Sequence, residues 1–302
     1  FGSLVAASAS TVTELMLGRA IQGAGAVSAA VSALLADQTR DQVRTKAMAL
    51  IGASIGLMFA LSLVASSAIT AAIGFSGLFV LTCVLAVAGI AVVLFWTPPE
   101  QLHRAAGPGP SVLSLLQQPA LARLFFGVFV LHAVQLAMWM AIPQLLVQAG
   151  WVKDSHWQIY LPALLGSFVI MGGLLRLERK GYQRQLFLMA VSLFAVAQLG
   201  FFEQIQNPSA QVLGACLFVF FIGFNILEAT QPSRVSQLAP VNGRGTAMGI
   251  YNTLQSLGLF AGGALGGWIV KTGGANALFM SCFIAALVWL FILILDWKQS
   301  RA

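Results

Sequence analysis

The sequence predicts an all-α polytopic membrane protein, and two observations lead to this prediction. Hydrophobic residues make up 59% of the chain and charged residues 8%, with a mean hydropathy of +0.88, whereas soluble domains average about 25% charged residues. The apolar runs are continuous over about twenty residues, which is the length of a membrane-spanning helix. Strands of a β-barrel would instead alternate apolar and polar residues over about ten positions.

Nine candidate spans stand out when hydropathy is averaged over about nineteen residues. They lie near 13–35, 46–69, 73–96, 122–148, 158–176, 185–203, 209–231, 246–270 and 275–296. Residues 1–10 are typical of the end of an earlier span. The longest polar interruption, roughly 97–120, is rich in Pro, Gly and Gln and indicates a cytoplasmic linker. We therefore expect a first bundle over 1–96, a linker over 97–121 and a second bundle over 122–302.

The net charge of +7 is explained by where the Lys and Arg residues lie. Thirteen of the sixteen fall on alternate loops: Arg40, Arg44, Lys46, Arg104, Arg123, Arg176, Arg179, Lys180, Arg184, Arg234, Arg244, Lys298 and Arg301. The opposite side has Lys153 and Lys271, and Arg19 lies inside a span. This asymmetry predicts that the thirteen face the cytoplasm. The charge is therefore a topology signal in a lipid bilayer, and it does not point to a nucleic-acid partner.

The same short sequence pattern occurs at the start of two predicted spans. The chain reads "RTKAM" at Arg44 and "RGTAM" at Arg244, and both strings open a span that leaves the cytoplasm. The same shift brings the span at 13–35 close to that at 209–231. This pattern predicts a parallel internal repeat of the kind found in transporters. In the second half three spans precede the one at 209–231, whereas only about ten residues precede the span at 13–35, so we expect three further helices upstream of Phe1 in a protein of six plus six helices.

The strings "LGRAIQGAGAVSAAVSALLADQTRDQVRTKAMALIGASIG" and "RGTAMGIYNTLQSLGLFAGGALGGWI" resemble the major facilitator superfamily, in its drug–proton antiporter branch. The resemblance implies two six-helix halves, alternating access about a central cavity, and exchange of protons for a small organic solute. It also implies a monomer in a bacterial inner membrane. Residues 1–96 would then hold the end of helix 3 and helices 4–6, and 122–302 would hold helices 7–12. Ser66 and Ser67 occupy the place where the antiporter motif ends in Gly-Pro, which keeps a uniporter or symporter open as an alternative.

Arg19 is a permanent cation inside a span, which costs at least about 2.5 kcal/mol at mid-bilayer. We expect it to face the bundle interior, with Gln22 one turn later on the same face. The resembled family places an arginine here, where its charge would influence a carboxylate that loads and releases the transported proton. The alternative is that Arg19 extends to the outer interface.

Further gating residues follow from the resemblance. Asp37 and Arg44 flank a cytoplasmic turn and would latch the inward gate, the alternative being a solvated helix end. Arg244 and Gly245 open a helix whose N-terminal dipole would be capped by an acidic residue of the gate. Glu178, in "RLERKGYQR", would be the counterpart of that acidic residue in the second half. A role as a topology anchor alone is the alternative.

Glu228 is the second costly residue in a span, and an intramembrane carboxylate predicts a functional site. Either it exchanges protons or it pairs with a neighbour such as Arg234. Polar and aromatic side chains at similar depth predict a cavity for an amphipathic solute, with interhelical hydrogen bonding as the alternative. The predicted cavity residues are His132, Gln135, Trp139, Asn225, Tyr251, Asn252 and Gln255.

Small residues at a spacing of four predict close helix packing. One such surface contains Gly18, Gly23 and Gly25 with Ala26, Ala29 and Ala33, in which Gly25, Ala29 and Ala33 have this spacing. The others are Gly52 with Gly56, and Gly258 with Gly262 and Gly266. The latter two sets suit surfaces that slide during alternation, with static packing as the alternative.

The absence of catalytic and nucleotide-binding motifs excludes several classes of function. No GxSxG, HExxH or Walker string occurs, and no His/Cys cluster has metal-ligand spacing. We therefore expect no enzyme activity, no cofactor and no metal site. A membrane receptor or assembly factor that does not transport is the remaining alternative from another class.

Overall fold

The structure, a computed structural model, describes residues 1–24, 31, 34–35, 38–39, 41–98 and 109–299. Within these ranges all regular secondary structure is helical, so the predicted all-α class is confirmed. The chain divides into two compact units, Phe1–Arg104 and Ala105–Ala302. Each unit is described separately below.

The first unit contains three described helices, α1 (Gly2–Ala7), α2 (Val12–Ala24) and α3 (Asp41–Trp96). Thr11 and Glu14 begin α2 with a reciprocal cap, because the Glu14 amide donates to Thr11 Oγ1 and the Thr11 amide donates to Glu14 Oε2. Helix α1 packs closely on α2, since a Cβ at Gly18 would lie within 3 Å of the Ala6 backbone. Helix α2 forms the first part of the predicted span 13–35.

The second unit contains seven described helices. They are α4 (Val112–Leu116), α5 (Pro119–Met138), α6 (Ile142–Gln148), α7 (Trp157–Arg179), α8 (Gln183–Glu203), α9 (Ala210–Leu238) and α10 (Arg244–Gln299). Two 3₁₀ turns, Lys153–Ser155 and Val241–Gly243, precede α7 and α10. Its core includes an aromatic cluster in which Phe194 contacts Phe220 and Trp289, with ring centroids 5.2 and 6.2 Å apart.

Helices α3 and α10 are both 56 residues long, and each is broken by one glycine. Gly74 has φ 69° and ψ 178°, and Gly274 has φ 72° and ψ −175°, a conformation essentially restricted to glycine. Gly274 falls between the predicted spans 246–270 and 275–296, and Gly74 is the second residue of the predicted span 73–96, which follows the span 46–69. Each glycine lies thirty positions after the repeated arginine (74 − 44 = 30; 274 − 244 = 30).

The chain reverses direction at Gly274. A Cβ at Gly258, before the break, would touch the Phe129 backbone, and a Cβ at Gly127 would touch the Trp289 ring, which comes after the break. Residues 258 and 289 therefore reach the same level of α5. The two parts of α10 form a helical hairpin of two spans.

Six helices in the described part are long and apolar enough to cross a membrane: Ala68–Trp96, Pro119–Gln148, Lys153–Leu174, Gln183–Glu203, Ala210–Leu238 and Arg244–Leu295. Dividing α10 at Gly274 turns these six segments into seven. The part of α3 before Gly74 and helix α2 bring the number in the described residues to nine, as predicted. Large apolar side chains such as Phe95, Phe260 and Trp268 are exposed on them, as expected for lipid-facing surfaces. The protein therefore crosses a membrane several times.

Two predicted spans differ from the observed helices. The span at 122–148 is interrupted at 139–141, because Pro143 near the start of α6 cannot donate a backbone hydrogen bond. The span predicted to end at 231 continues through Pro232 to Leu238. In the region predicted as linker, α4 packs against the second unit, and its Leu115 is fully buried there.

Helices α5 and the first part of α10 run parallel and in close contact. A Cβ at Gly258, Gly262 or Gly266 would lie within 3 Å of the backbone of Phe129, Ala133 or Ala137, respectively. The offset is constant (258 − 129 = 262 − 133 = 266 − 137 = 129). This small-residue contact fixes the relative height of the two helices, and it therefore sets which side chains of α5 and α10 meet.

Candidate functional site

Three helices of the second unit bring together His132 from α5, Glu228 from α9 and Gln255 from α10. The His132 Nε2 atom lies 3.4 Å from Glu228 Oε2 and 2.8 Å from Gln255 Nε2. Gln255 Nε2 is also 3.4 Å from Glu228 Oε1. We call these three residues the ionisable cluster. The sequence predicted His132 and Gln255 as cavity residues and Glu228 as a proton-exchanging residue, and the structure brings them into contact.

The hydrogen bonds of His132 determine which ring nitrogen carries the hydrogen when the ring is neutral. Nδ1 lies 2.9 Å from the carbonyl oxygen of Val128, one turn earlier in α5, so Nδ1 carries the hydrogen and donates it to that carbonyl. Nε2 of the neutral ring is then an acceptor, and it accepts one hydrogen of the Gln255 amide. The ring also packs edge-on against Phe224, with centroids 5.8 Å apart.

Glu228 is accessible from one side only. Its side chain is 39% exposed in the second unit, compared with 4% for His132. The Oε2 atom is nevertheless buried, and it faces His132. Arg234, the partner considered from the sequence, instead donates to Gln183 Oε1 on α8 at 3.1 Å. Glu228 thus combines a partly exposed side chain with a buried carboxylate oxygen.

The ionisable cluster changes its hydrogen bonds when it gains a proton. In the neutral ring, the Gln255 amide donates to both His132 and Glu228. A proton added to Nε2 converts this acceptor into a donor, which can then donate to Glu228 Oε2 and no longer accepts from Gln255. Protonation is therefore linked to the contacts among α5, α9 and α10.

Two further predicted cavity residues make contacts that hold helices together. Asn225 is buried, and its Nδ2 donates to Ser167 Oγ on α7 at 2.8 Å. The Trp139 ring packs edge-on against Tyr160 at 5.1 Å, and the Tyr160 hydroxyl lies 3.4 Å from His156 Nδ1. Gln135 and Asn252 are half-buried on α5 and α10.

Tyr251 is buried near the ionisable cluster. Its side chain is 2% exposed, and it lies within range of the charge on Glu228. Its hydroxyl has no hydrogen-bond partner among the described residues. The same is true of both amide atoms of Gln231, which is fully buried one turn after Glu228.

The predicted gating residues are described only in part. Arg19 is exposed on α2 and donates to Gln22 Oε1 at 2.7 Å, and Gln22 Nε2 donates to Ser3 Oγ at 2.6 Å. Arg244 and Gly245 are exposed at the start of α10. Asp37 lies outside the described residues, as do the side chains of Arg44 and Glu178.

The predicted packing glycines behave differently from one another. Gly258, Gly262 and Gly266 pack against α5 inside the second unit, whereas a Cβ at Gly23 would meet open space. Gly25 lies outside the described residues, and the surroundings of Gly52 and Gly56 are likewise not described.

Sequence reasoning missed several polar residues of the second unit. Ser167, Gln198 and Gln231 are fully buried, and His156 and Tyr160 are nearly so. A polar residue directly before Pro232 inside an apolar span was an available signal for Gln231. No comparable signal marked Ser167. Among the described residues no group of His, Cys, Asp and Glu is arranged to hold a metal ion.

The fold and the site define a class: a multi-pass α-helical membrane protein with a titratable pair inside its apolar bundle. The chain belongs to the Major Facilitator Superfamily, whose profile matches residues 1–263. This is a family of transporters, so the prediction that the chain is not an enzyme is confirmed.

Individual relatives agree with this membership. The chain is 38% identical over 296 residues to the inner membrane transport protein YajR of Escherichia coli, covering 96% of the chain and 65% of that protein. It is 30% identical over 270 residues to an uncharacterized transporter of Buchnera aphidicola, covering 86% of the chain and 68% of that protein. The solved human organic anion transporter MFSD10 (TETRAN) shares the fold, with a TM-score of 0.70 at 19% identity over 97% of the chain and 74% of that structure.

Proposed function

We propose that the protein is a proton-coupled exporter, which exchanges protons for a small amphipathic organic solute by alternating access in a bacterial inner membrane. The chain spans about two thirds of YajR, whose name describes an inner membrane transport protein. Family membership supports transport by the whole protein. The coupling to protons is supported by the ionisable cluster.

The observation that carries the proposal is the contact of His132 with Glu228 across two apolar helices. An ionisable side chain within the bilayer is costly, and such residues mark ion and proton pathways. The half-exposed carboxylate can receive a proton from the surface of the unit. Gln255, between the two ionisable groups, makes the helix contacts depend on where that proton resides.

The remaining predicted residues complete this proposal. Gln135, Trp139 and Asn252, near the ionisable cluster in sequence, would contact the solute. Arg19 with Gln22, and the cytoplasmic residues Asp37, Arg44, Glu178, Arg244 and Gly245, would control opening and closing. MFSD10 is named as an organic anion transporter, and we extend only the class of small organic solute to this chain.

The experiment is reconstitution of the full-length protein in liposomes that enclose a pH-sensitive dye. A panel of amphipathic organic cations and anions serves as probe. We expect at least one probe to cause proton movement in the opposite direction. Glu228→Gln should reduce this movement to that of protein-free liposomes, and Glu203→Gln, at the exposed end of α8, should leave it unchanged. Electroneutral solute transport that ignores a pH gradient would refute the coupling.

A uniporter or symporter is the second candidate, and Ser66–Ser67 in place of Gly-Pro favours it. This candidate predicts solute counterflow in the absence of any proton gradient. Counterflow that persists in Glu228→Gln would establish it over antiport.

A further inference from the structure

We propose that Gln231 and Tyr251 hold ordered water against the inner side of Glu228, and that this water donates a hydrogen bond to the buried oxygen of the carboxylate. This inference deepens the proposed function and rests on it. Gln231 and Tyr251 are positioning residues here, because they act on Glu228 through water.

The first support is the burial of polar atoms without partners. Gln231 is 0% exposed, and neither its amide oxygen nor its amide nitrogen has a hydrogen-bond partner among the described residues. The hydroxyl of Tyr251 is in the same situation at 2% exposure. Burying such groups without a partner is unfavourable, and ordered water is the usual partner in protein interiors.

A third polar group is supplied by a proline. Pro232 lies inside α9 and has no N–H, so it cannot donate to the carbonyl of Glu228 four residues earlier. In membrane helices, carbonyls freed in this way are satisfied by neighbouring helices, Ser or Thr side chains, local changes of helix geometry or ordered water. A helical carbonyl points towards the C-terminal end, so this oxygen is directed towards the level of Gln231.

These groups share one side of Glu228. Gln231 is three residues after Glu228 in α9, and Tyr251 is four residues before Gln255 in α10, which corresponds to about 4.5 and 6 Å along the helices. Both displacements are towards the ends of α9 and α10 that are joined by the turn Val241–Gly243. Gln231 and Tyr251 thus lie at similar depth beside Glu228, and Tyr251 is within range of the charge on that carboxylate.

The site is closed at its far end. Tyr251 packs into an apolar cluster completed by Leu115, Leu121, Phe125, Val128, Val235, Ala239 and Ala247. These side chains separate the polar groups from the end of the unit where α4 packs. Water held beside Glu228 is therefore shielded from this end of the unit.

The direct test is radiolytic labelling of the full-length protein in lipid nanodiscs, which oxidises side chains next to bound water. Tyr251 should be labelled at least several times faster than Tyr160, which is also buried but is bonded to His156. Equal labelling of the two tyrosines would overturn the proposal. This measurement needs no substitution and does not depend on transport.

The second test follows the protonation of Glu228 by infrared spectroscopy over a series of pH values, with the carboxyl band assigned by Glu228→Gln. Gln231→Leu and Tyr251→Phe should each make protonation of Glu228 more favourable by roughly ten- to a hundredfold, because the carboxylate loses the equivalent of one hydrogen bond to a charged group. Gln237→Leu, at an exposed position on the same helix, is the control. Protonation of Glu228 at the same pH as in the control would overturn the proposal.

The proposed function and the proposed water site would be contradicted by different results. If wild-type protein shows no carboxyl band that Glu228→Gln removes, the proton step of the proposed function fails, while labelling of Tyr251 still decides whether the water is present. A merely structural role is also distinguishable. A contact that is only structural would lower the thermal unfolding temperature of the variants and leave the protonation of Glu228 equal to that of the control. Gln231→Met provides a second variant if Gln231→Leu does not fold.

Discussion

His132 on α5 and Glu228 on α9 contact each other through Nε2 and Oε2, 3.4 Å apart, and the Gln255 amide bridges them from α10. The three residues lie on three different helices. The positions of α5 and α10 along the bundle axis are set by other contacts, such as that of Gly262 with Ala133. The contact therefore depends on helix packing and on the protonation of the pair. The predictions below test both.

The neutral ring of His132 should carry its hydrogen on Nδ1, because Nδ1 donates to the Val128 carbonyl. Nitrogen-15 NMR of histidine-labelled protein at alkaline pH measures the tautomer. His156 provides an internal control with the opposite expectation, since its Nε2 faces the Trp151 carbonyl and its Nδ1 faces the Tyr160 hydroxyl. His132→Asn assigns the signals. An Nε2-protonated His132 would contradict the hydrogen bonding described here.

Asn225 and Ser167 should be energetically coupled, because the Asn225 amide donates to the Ser167 hydroxyl between α9 and α7. A double-mutant cycle with Asn225→Ala and Ser167→Ala should give a coupling free energy of about 0.6 kcal/mol, and at most about 1.7 kcal/mol. The readout is thermal unfolding in detergent. A cycle with Ser192→Ala is the control, because Ser192 bonds within its own helix and should show no coupling to Asn225.

Gly262→Ala should destabilise the second unit, whereas Gly267→Ala should not. A Cβ at Gly262 would overlap the carbonyl of Ala133 on α5, and a Cβ at Gly267 would meet nothing within 4 Å. We expect a cost of about 1–3 kcal/mol for Gly262→Ala from overpacking. Gly267→Ala should be neutral or stabilising by up to about 1 kcal/mol, because alanine favours helix. Equal unfolding temperatures would argue against the close packing of α5 and α10.

Gly74→Ala and Gly274→Ala should each destabilise the fold although both positions have open space around them. The cause is the positive φ of both residues, which costs a side chain about 1–3 kcal/mol. Gly89→Ala tests the same change at an open position within the regular part of α3, where alanine should be tolerated. Thermal unfolding of the three variants separates backbone strain from packing. Similar values for all three would count against the strained turns.

The parts of the fold that follow from local pattern were predictable from the sequence. Continuous apolar runs predicted the spans, and the strings after Arg44 and Arg244 predicted the repeat. The break before α6 was not predicted, because Pro143 lies inside an unbroken apolar run and hydropathy is insensitive to a missing backbone donor. The continuation of α9 past Pro232 was missed for the opposite reason. A proline usually ends a helix, but neighbouring helices can support one that continues.

The site could be predicted residue by residue but not as an arrangement. Glu228 and His132 were recognisable because ionisable groups are costly in apolar spans. Their contact depends on the register between α5, α9 and α10, and that register is set by contacts such as Gly262 with Ala133. Asn225 shows the same limit, because its partner Ser167 lies on α7 and no pattern in the sequence connects the two.

The matched breaks at Gly74 and Gly274 have a consequence for the origin of the molecule. If one ancestral bundle was duplicated, both halves kept a positive-φ glycine thirty residues after the repeated arginine. The flanking letters, "AAIGFSG" and "KTGGANA", share only that glycine. A duplication would thus be visible in a pair of torsion angles where the adjacent side chains no longer show it.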